Sequence, residues 1–390
     1  MYDAIIVGAR CAGSPLAMLL GRKGYKVLLV DKASFPSDII STHYIHQPGA
    51  ARLKRWGLLD AVISSNCPPI MRMLFDVGPF ALEGSPPSVD GAAEALCPRR
   101  MVLDKILLDA AVTAGAEVRE RFYVRDVIRD GDRITGIRAE TSSGQSIVEQ
   151  ARVVVGADGQ RSVIARACCA AEYQVRPAAS CNYYTYFSDV PCSTAELYNR
   201  DRCLIGLFPT NDDLTLVFEA FPNHDFREQR GNLEAHYFRL LTQVPEVLER
   251  VRDGRREARF TGTTDLPGFF RKSSGSGWAL AGDAGYHKHP VTAQGISDAF
   301  RDADELAAAV DGGLSGAGPL EQSLADYARR RDESVMPMYE LTCELATLEP
   351  PSLEMQHRFA AMRGDQEAIS RFLGTITGSV AIADFFSQQP

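Results

Sequence analysis

No apolar run in this 390-residue chain approaches the roughly 20 residues a helix needs to span a bilayer. None of its nine cysteines stands in a CxxC pair, and Cys168 and Cys169 are neighbours, which disfavours an ordinary disulfide. The seven histidines are scattered, and His287 and His289 in a loop do not give metal-ligand spacing. Positive charge forms no extended basic tract. The clusters Arg252-Asp253-Gly254-Arg255-Arg256 and Arg329-Arg330-Arg331 are interrupted or flanked by acids, and the net charge is −8. These absences argue against a helical membrane protein, a disulfide scaffold, a metal site and a nucleic-acid surface. Met1 leads straight into an apolar run, so the cysteines are expected reduced and the protein cytoplasmic.

What is present is a set of three short segments, far apart, each suited to a different part of one dinucleotide. The run Tyr2-Asp3-Ala4-Ile5-Ile6-Val7 reads as a strand. Gly8-Ala9-Arg10-Cys11-Ala12-Gly13 follows, and Pro15 to Leu20 continues as a helix. A helix starting at such a turn points free N–H groups and its positive dipole end at a pyrophosphate. Gly8 permits the tight turn and Gly13 lets the helix lie close on the strand. The next strand, Lys26 to Val30, ends in Asp31, 18 residues after Gly13, where a carboxylate can accept from a ribose diol. Arg10 stands where a glycine is usual, and its guanidinium is expected to face the phosphates. The second segment is Gly156-Ala157-Asp158-Gly159-Gln160-Arg161-Ser162 and the third is Ala281-Gly282-Asp283-Ala284. An adenine dinucleotide is the direct reading.

Periodicity fills in the rest. A helix is expected from Pro48, ending near Gly57 with a short continuation to Ile63, and another over Met101–Ala114, and a strand meander runs from Glu117 to Val155 with hairpin turns at Asp130-Gly131 and Ser143-Gly144. Residues 66–98, rich in Pro, Gly and Ser, suggest an irregular loop holding short strands. A strand-rich second domain is expected over 175–265. The fold class is therefore α/β, a discontinuous nucleotide domain (1–174 and 266–345) with a β-sheet substrate domain and C-terminal helices (346–390). Chemistry is expected in the cleft between the two domains.

With the three segments in view, residues 1–345 resemble the class A flavoprotein monooxygenases, the para-hydroxybenzoate hydroxylase-like group. Flavin-dependent halogenases and geranylgeranyl reductases are more distant kin. The resemblance implies a Rossmann-like FAD domain of the glutathione-reductase type. Asp158-Gly159 matches a segment associated with FAD and the nicotinamide donor, and Gly282-Asp283 one whose carboxylate bonds the ribityl chain. Pro290, Gln294-Gly295 and Asp302-Ala303 fall 7, 11 and 19 residues after Asp283, as in that pattern. A helix from about Ile296 would aim its positive end at the flavin pyrimidine. Arg100 matches an arginine near the cofactor, and Thr42 lies where relatives contact FAD. Cys11, Ala12, Lys32 and Val124 complete the expected cofactor shell. Tyr286 sits where many relatives carry histidine.

The resemblance also implies chemistry. Reduced flavin and dioxygen give a flavin C4a-hydroperoxide, which demands a closed apolar cavity. Tyr184, Tyr186, Phe208 and Pro209 are candidates for its substrate wall, and His46 and His289 for proton shuttles. Lys288 is expected in solvent. NAD(P)H is the expected transient reductant, docking on the FAD domain because no second glycine fingerprint opens a βαβ unit. The leading expectation is a monooxygenase acting on a small aromatic or polyketide-like molecule, as a monomer or homodimer. A reductase of an isoprenoid-type chain is the alternative. The halogenase signature Trp-x-Trp-x-Ile-Pro is absent, since Trp56 and Trp278 stand far apart.

Overall fold

The computed structural model describes residues 1–229 and 232–387. Its first sheet grows from the N-terminal strand Tyr2–Val7, every residue of which except Asp3 is buried. That strand pairs in parallel with Val27–Val30 on one side and Ser146–Gly156 on the other. Trp278–Leu280 joins the far edge of Ser146–Gly156, and Glu117–Arg119 joins Val27–Val30, both in parallel. Tyr2–Val7, Val27–Val30 and Trp278–Leu280 are buried almost throughout, which is why they read as continuous apolar runs rather than alternating ones. The helices Gly13–Arg22, Arg100–Thr113 and Gly295–Leu314 carry the apolar face that covers one side. The meander of Phe122–Asp130 and Arg133–Thr141 packs against the other side.

The second sheet is largely antiparallel. Ser180–Ser188, Thr215–Pro222, Cys203–Pro209 and Ala195–Arg200 lie side by side in that order. The Pro-rich segment does hold short strands, Met73–Asp76 and Ala81–Gly84. They extend this second sheet, through a parallel pairing of Met73–Asp76 with Ala195–Arg200. The second sheet thus takes strands from sequence well before residue 175. Its two faces are covered differently. Leu233–Leu241 and Pro245–Asp253 pack on one. The other shares an apolar cluster with the C-terminal helices Leu353–Ala361 and Gln366–Thr377, through Phe359, Ile369, Phe372 and Leu373.

The helix expected from Pro48, ending near Gly57 with a short continuation, is present as Gln47–Trp56, capped at Gly57, followed by Leu59–Ile63. No helix among the described residues is long and apolar enough to cross a membrane.

Candidate active site

A cavity of about 570 Å³ lies where the first sheet meets the second. All three sequence segments open onto it through Gly8, Arg10, Cys11, Ala12, Asp158, Gly159, Gly282 and Asp283. Asp31, Lys32, Thr42, Arg100, Val124, Pro290, Gly295 and Ile296 line it as well.

The N-terminal turn is sterically tight. Gly8 has φ +105°, and a Cβ on it would lie 2.3 Å from the carbonyl oxygen of Ala157. A Cβ on Gly13 would come within 1.8 Å of the Gly8 carbonyl oxygen. Both oxygens of Asp31 accept backbone N–H groups, from Ala9 and Ala33, each at 2.7 Å. A carboxylate oxygen has a second lone pair, so each can still accept a hydroxyl. The turn therefore keeps its shape without a ligand and leaves acceptors facing the cavity.

Arg10 does more than line the wall. Its guanidinium donates to the carboxylate of Asp104 at 2.5 Å and to Ser37 Oγ at 2.9 Å, and it lies over the Phe35 ring. The expectation that it is free to face phosphates meets this prior engagement. Arg100 grips the same Asp104. Cys11 also donates to Asp104, at 3.4 Å, and burial pushes its thiol far up. It is a packing residue at this site.

Asp158 receives the Ser162 hydroxyl at 2.5 Å and the Val163 N–H at 2.6 Å, so it braces the start of the short helix Val163–Ala167, whose N-cap is Ser162. Gly282, at φ +57°, donates its N–H to the buried carboxylate of Asp302 at 2.9 Å. Asp283 is accessible from the cavity although protein encloses it on its other sides. That enclosure raises its carboxyl, while His287 and Arg100 work in the opposite direction. The helix Gly295–Leu314 begins at the cavity, and a Cβ on Gly295 would meet nothing within 4 Å.

Lys288 is not in solvent. Its Nζ donates to Asp298 at 2.7 Å, and Arg301 holds the other oxygen of Asp298 at 2.8 Å. The Tyr286 hydroxyl also donates to Asp298. Burial acts to raise the Asp298 carboxyl, yet Lys288 and Arg301 prevail and keep it below the usual range. Tyr286 thus belongs to a buried polar cluster with Asp298, Arg301 and Lys288, of which Lys288 also lines the cavity.

On the side of the second sheet, alternate residues of neighbouring strands reach the cavity. Tyr184 lines the cavity together with Leu216 and Phe218 of the neighbouring strand. Phe218 sits directly opposite Tyr184 in the ladder, and Leu216 opposite Tyr186. The Tyr186 hydroxyl lies 2.5 Å from His43 Nε2, and His43 Nδ1 lies 2.7 Å from the Ser41 carbonyl oxygen. A carbonyl can only accept, so Nδ1 carries the hydrogen and Tyr186 donates to Nε2. Burial pushes the imidazole of His43 down to about 3, and it is neutral. Tyr186 stands behind Tyr184. Phe208 stacks on Phe218 and lines a small adjoining cleft with His46; Pro209, at the end of the same strand, lines neither space.

The two histidines expected to shuttle protons do not line the main cavity. His46 Nε2 donates to the Thr292 carbonyl at 2.9 Å, and burial pushes its imidazole down to about 4. His289 Nδ1 accepts the Val291 N–H at 3.2 Å, and its Nε2 lies 3.0 Å from Ser180 Oγ. Burial lowers it to about 4 as well. The first has one nitrogen spent and the other sealed from solvent without a partner; the second has both nitrogens spent. Sequence reasoning missed His43, His287, Leu216, Phe218 and Asp104. Strand alternation would have found Leu216 and Phe218 once their neighbour was known, and the others had no signal short of the fold.

No cluster of His, Cys, Asp or Glu able to hold a metal occurs among the described residues. An adenine dinucleotide fits. The glycine turn admits no side chain at Gly8 or Gly13, two separate loops add an acid each, and a helix N-terminus opens on empty space at Gly295.

A family model described as FAD binding domain matches residues 1–342. The chain is 25% identical to a digeranylgeranylglycerophospholipid reductase of Methanosarcina mazei, over 78% of this chain and 74% of that one. It is 27% identical to a 3-(3-hydroxy-phenyl)propionate/3-hydroxycinnamic acid hydroxylase of Mycolicibacterium gilvum, over 93% of this chain and 62% of that one. Among solved structures it superposes on a myxobacterial chondrochloren halogenase with a TM-score of 0.81 at 22% identity, covering 97% and 92% of the two chains.

Proposed function

The chain belongs to the FAD binding domain family and is a flavin-dependent oxidoreductase, and on that premise we propose that it is a monooxygenase. Its substrate in this reading is a small aromatic or polyketide-like molecule, and NAD(P)H is the reductant. FAD, when bound, supplies stored electrons and the activation of dioxygen. What the chain supplies is enclosure and position.

The observation that carries the reading is the wall formed by Tyr184, Leu216 and Phe218, facing the Asp283 loop and the N-terminus at Gly295 across one cavity. Oxygen transfer needs a water-poor space, and these apolar side chains would exclude water at that end of the cavity. A flat aromatic molecule packs well against Tyr184 and Phe218, whose strands hold them side by side. The N–H groups behind the Gly8–Gly13 turn would face the pyrophosphate, Asp31 the ribose, and Asp283 the ribityl chain. The positive end of Gly295–Leu314 would stabilise negative charge on the ring system. NAD(P)H would dock transiently on the same domain. The name of the hydroxylase relative agrees with this reading. The absence of Trp-x-Trp-x-Ile-Pro speaks against the halogenase alternative.

Isotopically heavy dioxygen tests it. The FAD-loaded enzyme is given NAD(P)H, heavy dioxygen and a panel of phenols and polyketide-like aromatics, and products are weighed. One heavy oxygen atom per product is the expected result. A product that gains only hydrogen would make the enzyme a reductase, and one that gains only added halide a halogenase.

A further inference from the structure

The strand Ser180–Ser188 turns Asn182, Tyr184 and Tyr186 to one face, and the first two line the main cavity. Asn182 has Ala220 beside it on one neighbouring strand and Thr263 on the other. Its amide meets His289, whose hydrogens the surroundings assign. The Val291 N–H points at Nδ1 from 3.2 Å, so Nδ1 offers a lone pair. The Ser180 carbonyl oxygen lies 3.3 Å from Nε2, and a carbonyl accepts only, so Nε2 carries a hydrogen. The Ser180 hydroxyl gives its own hydrogen to the Ala346 carbonyl at 2.8 Å. Its oxygen, 3.0 Å from Nε2, is therefore an acceptor as well.

The Asn182 amide reaches this same Nε2, at 3.4 Å. Two donors repel, so the amide turns its oxygen to the imidazole and its NH2 away from it; the neighbours of an amide decide which end points where. Neither polar atom of Asn182 is among the sealed, unpartnered atoms of the core. The residue is half-buried and lines the cavity, so the NH2 faces that space. What the wall offers here is a donor without charge. Lys288 spends its charge on Asp298, and His287 turns Nδ1 to the Pro267 carbonyl oxygen 2.5 Å away. Tyr184, Leu216 and Phe218 make the rest of this end largely apolar.

We propose that Asn182 is a specificity-determining residue whose amide N–H donates to a carbonyl oxygen of the substrate, which makes aryl ketones and related carbonyl-bearing aromatics the substrate class. The inference rests on the reading of this cavity as the substrate site of a flavin monooxygenase. A donor set in an apolar wall discriminates, because a ligand without an acceptor strips the NH2 of water and returns nothing. The oxygen of the same amide is taken by His289, so Asn182 donates to the ligand and does not accept from it. A carbonyl oxygen is satisfied by that arrangement, whereas a hydroxyl in the same place needs a further partner for its own hydrogen. No covalent bond is made or broken by Asn182; it orients the ring against Tyr184 and Phe218.

The test uses acetophenone and α-methylstyrene, which share a shape and differ in a carbonyl oxygen against a methylene group. Each is titrated into the FAD-loaded protein without NAD(P)H, and the change in flavin absorbance gives its Kd. Wild type should bind acetophenone more tightly, on the order of ten-fold, and Asn182→Leu should bind the two alike. Infrared difference spectra with carbon-labelled acetophenone give a second readout. A donated hydrogen bond weakens the C=O bond, so the carbonyl band should lie lower in wild type than in Asn182→Leu. Should that variant lose its flavin, Asn182→Asp, which keeps an oxygen towards His289 and has no NH2, decides with the same band. Equal affinities in wild type overturn the proposal, as does a carbonyl band that ignores the substitution or a wild-type protein that takes up neither probe. Heavy-oxygen labelling fails separately. A product without heavy oxygen removes the monooxygenase reading even when the ketone preference follows Asn182, and equal affinities remove only this inference.

Discussion

Arg100 closes a two-pronged bond on Asp104, one turn along the same helix, with both nitrogen–oxygen distances at 3.0 Å. The Asp104 side chain is wholly buried, and Arg10 reaches it from the glycine turn. One carboxylate therefore ties the turn, the helix Arg100–Thr113 and, through Arg10, the backbone and hydroxyl of Ser37. Asp104→Ala leaves two guanidinium groups facing each other without a counter-charge. Removing one member of a buried pair costs about 3–5 kcal/mol, so denaturant unfolding should show a loss of that size. A variant as stable as wild type would contradict the bond network.

Two glycines on the cavity should fail in different ways. At Gly13 a methyl group meets the Gly8 carbonyl at 1.8 Å, and backbone must move. Gly13→Ala should lose about 3 kcal/mol or more along with flavin binding. At Gly295 the space is open, and alanine is the better helix former. Gly295→Ala should keep or slightly raise the unfolding midpoint while FAD binds more weakly, since the methyl group enters the cavity. Flavin fluorescence titration beside thermal melts separates the two effects.

Asp158 holds the cap Ser162 and the first N–H of a helix, so its loss is first a matter of stability. Asp158→Ala forfeits bonds to Ser162 and Val163, and should cost about 1–3 kcal/mol. A calorimetric melt unchanged from wild type would show that these bonds contribute nothing. Stopped-flow reduction of the same variant by NAD(P)H measures any further role towards the donor.

Glu219 should make the protein less stable as pH rises. Both of its carboxylate oxygens are buried without a partner, and burial pushes the carboxyl well above the usual range. The folded chain therefore keeps a proton that the unfolded chain releases at about pH 4.3. The contribution is full below that pH and is lost as pH climbs towards the folded value. Glu219→Gln mimics the protonated acid. It should match wild type in acid and exceed it by about 1–3 kcal/mol near neutrality. Urea midpoints measured across pH would refute this by running parallel.

The cofactor half of the site was legible because its constraints are local. A turn too tight for a side chain, an acid at a strand end and a helix start are each written within a few residues, as Gly8, Gly13 and Asp31 demonstrate. Histidine roles were not legible in this way. His46, His287 and His289 look alike along the chain, yet only His287 both lines the cavity and keeps a nitrogen open. The partners that spend the others, Thr292 and Ser180, come from elsewhere in the fold.

By itself, then, the order of residues determined the α/β class, the N-terminal strand–turn–helix and three of the acids that line one cavity. Tertiary structure alone decided that Met73–Asp76 joins the second sheet, that Phe218 lies opposite Tyr184, and that Lys288 is held by Asp298. The reason is physical: short-range sterics and hydrogen-bonding periodicity act between near neighbours. Burial and ion pairing depend instead on which distant segments the packed core brings together.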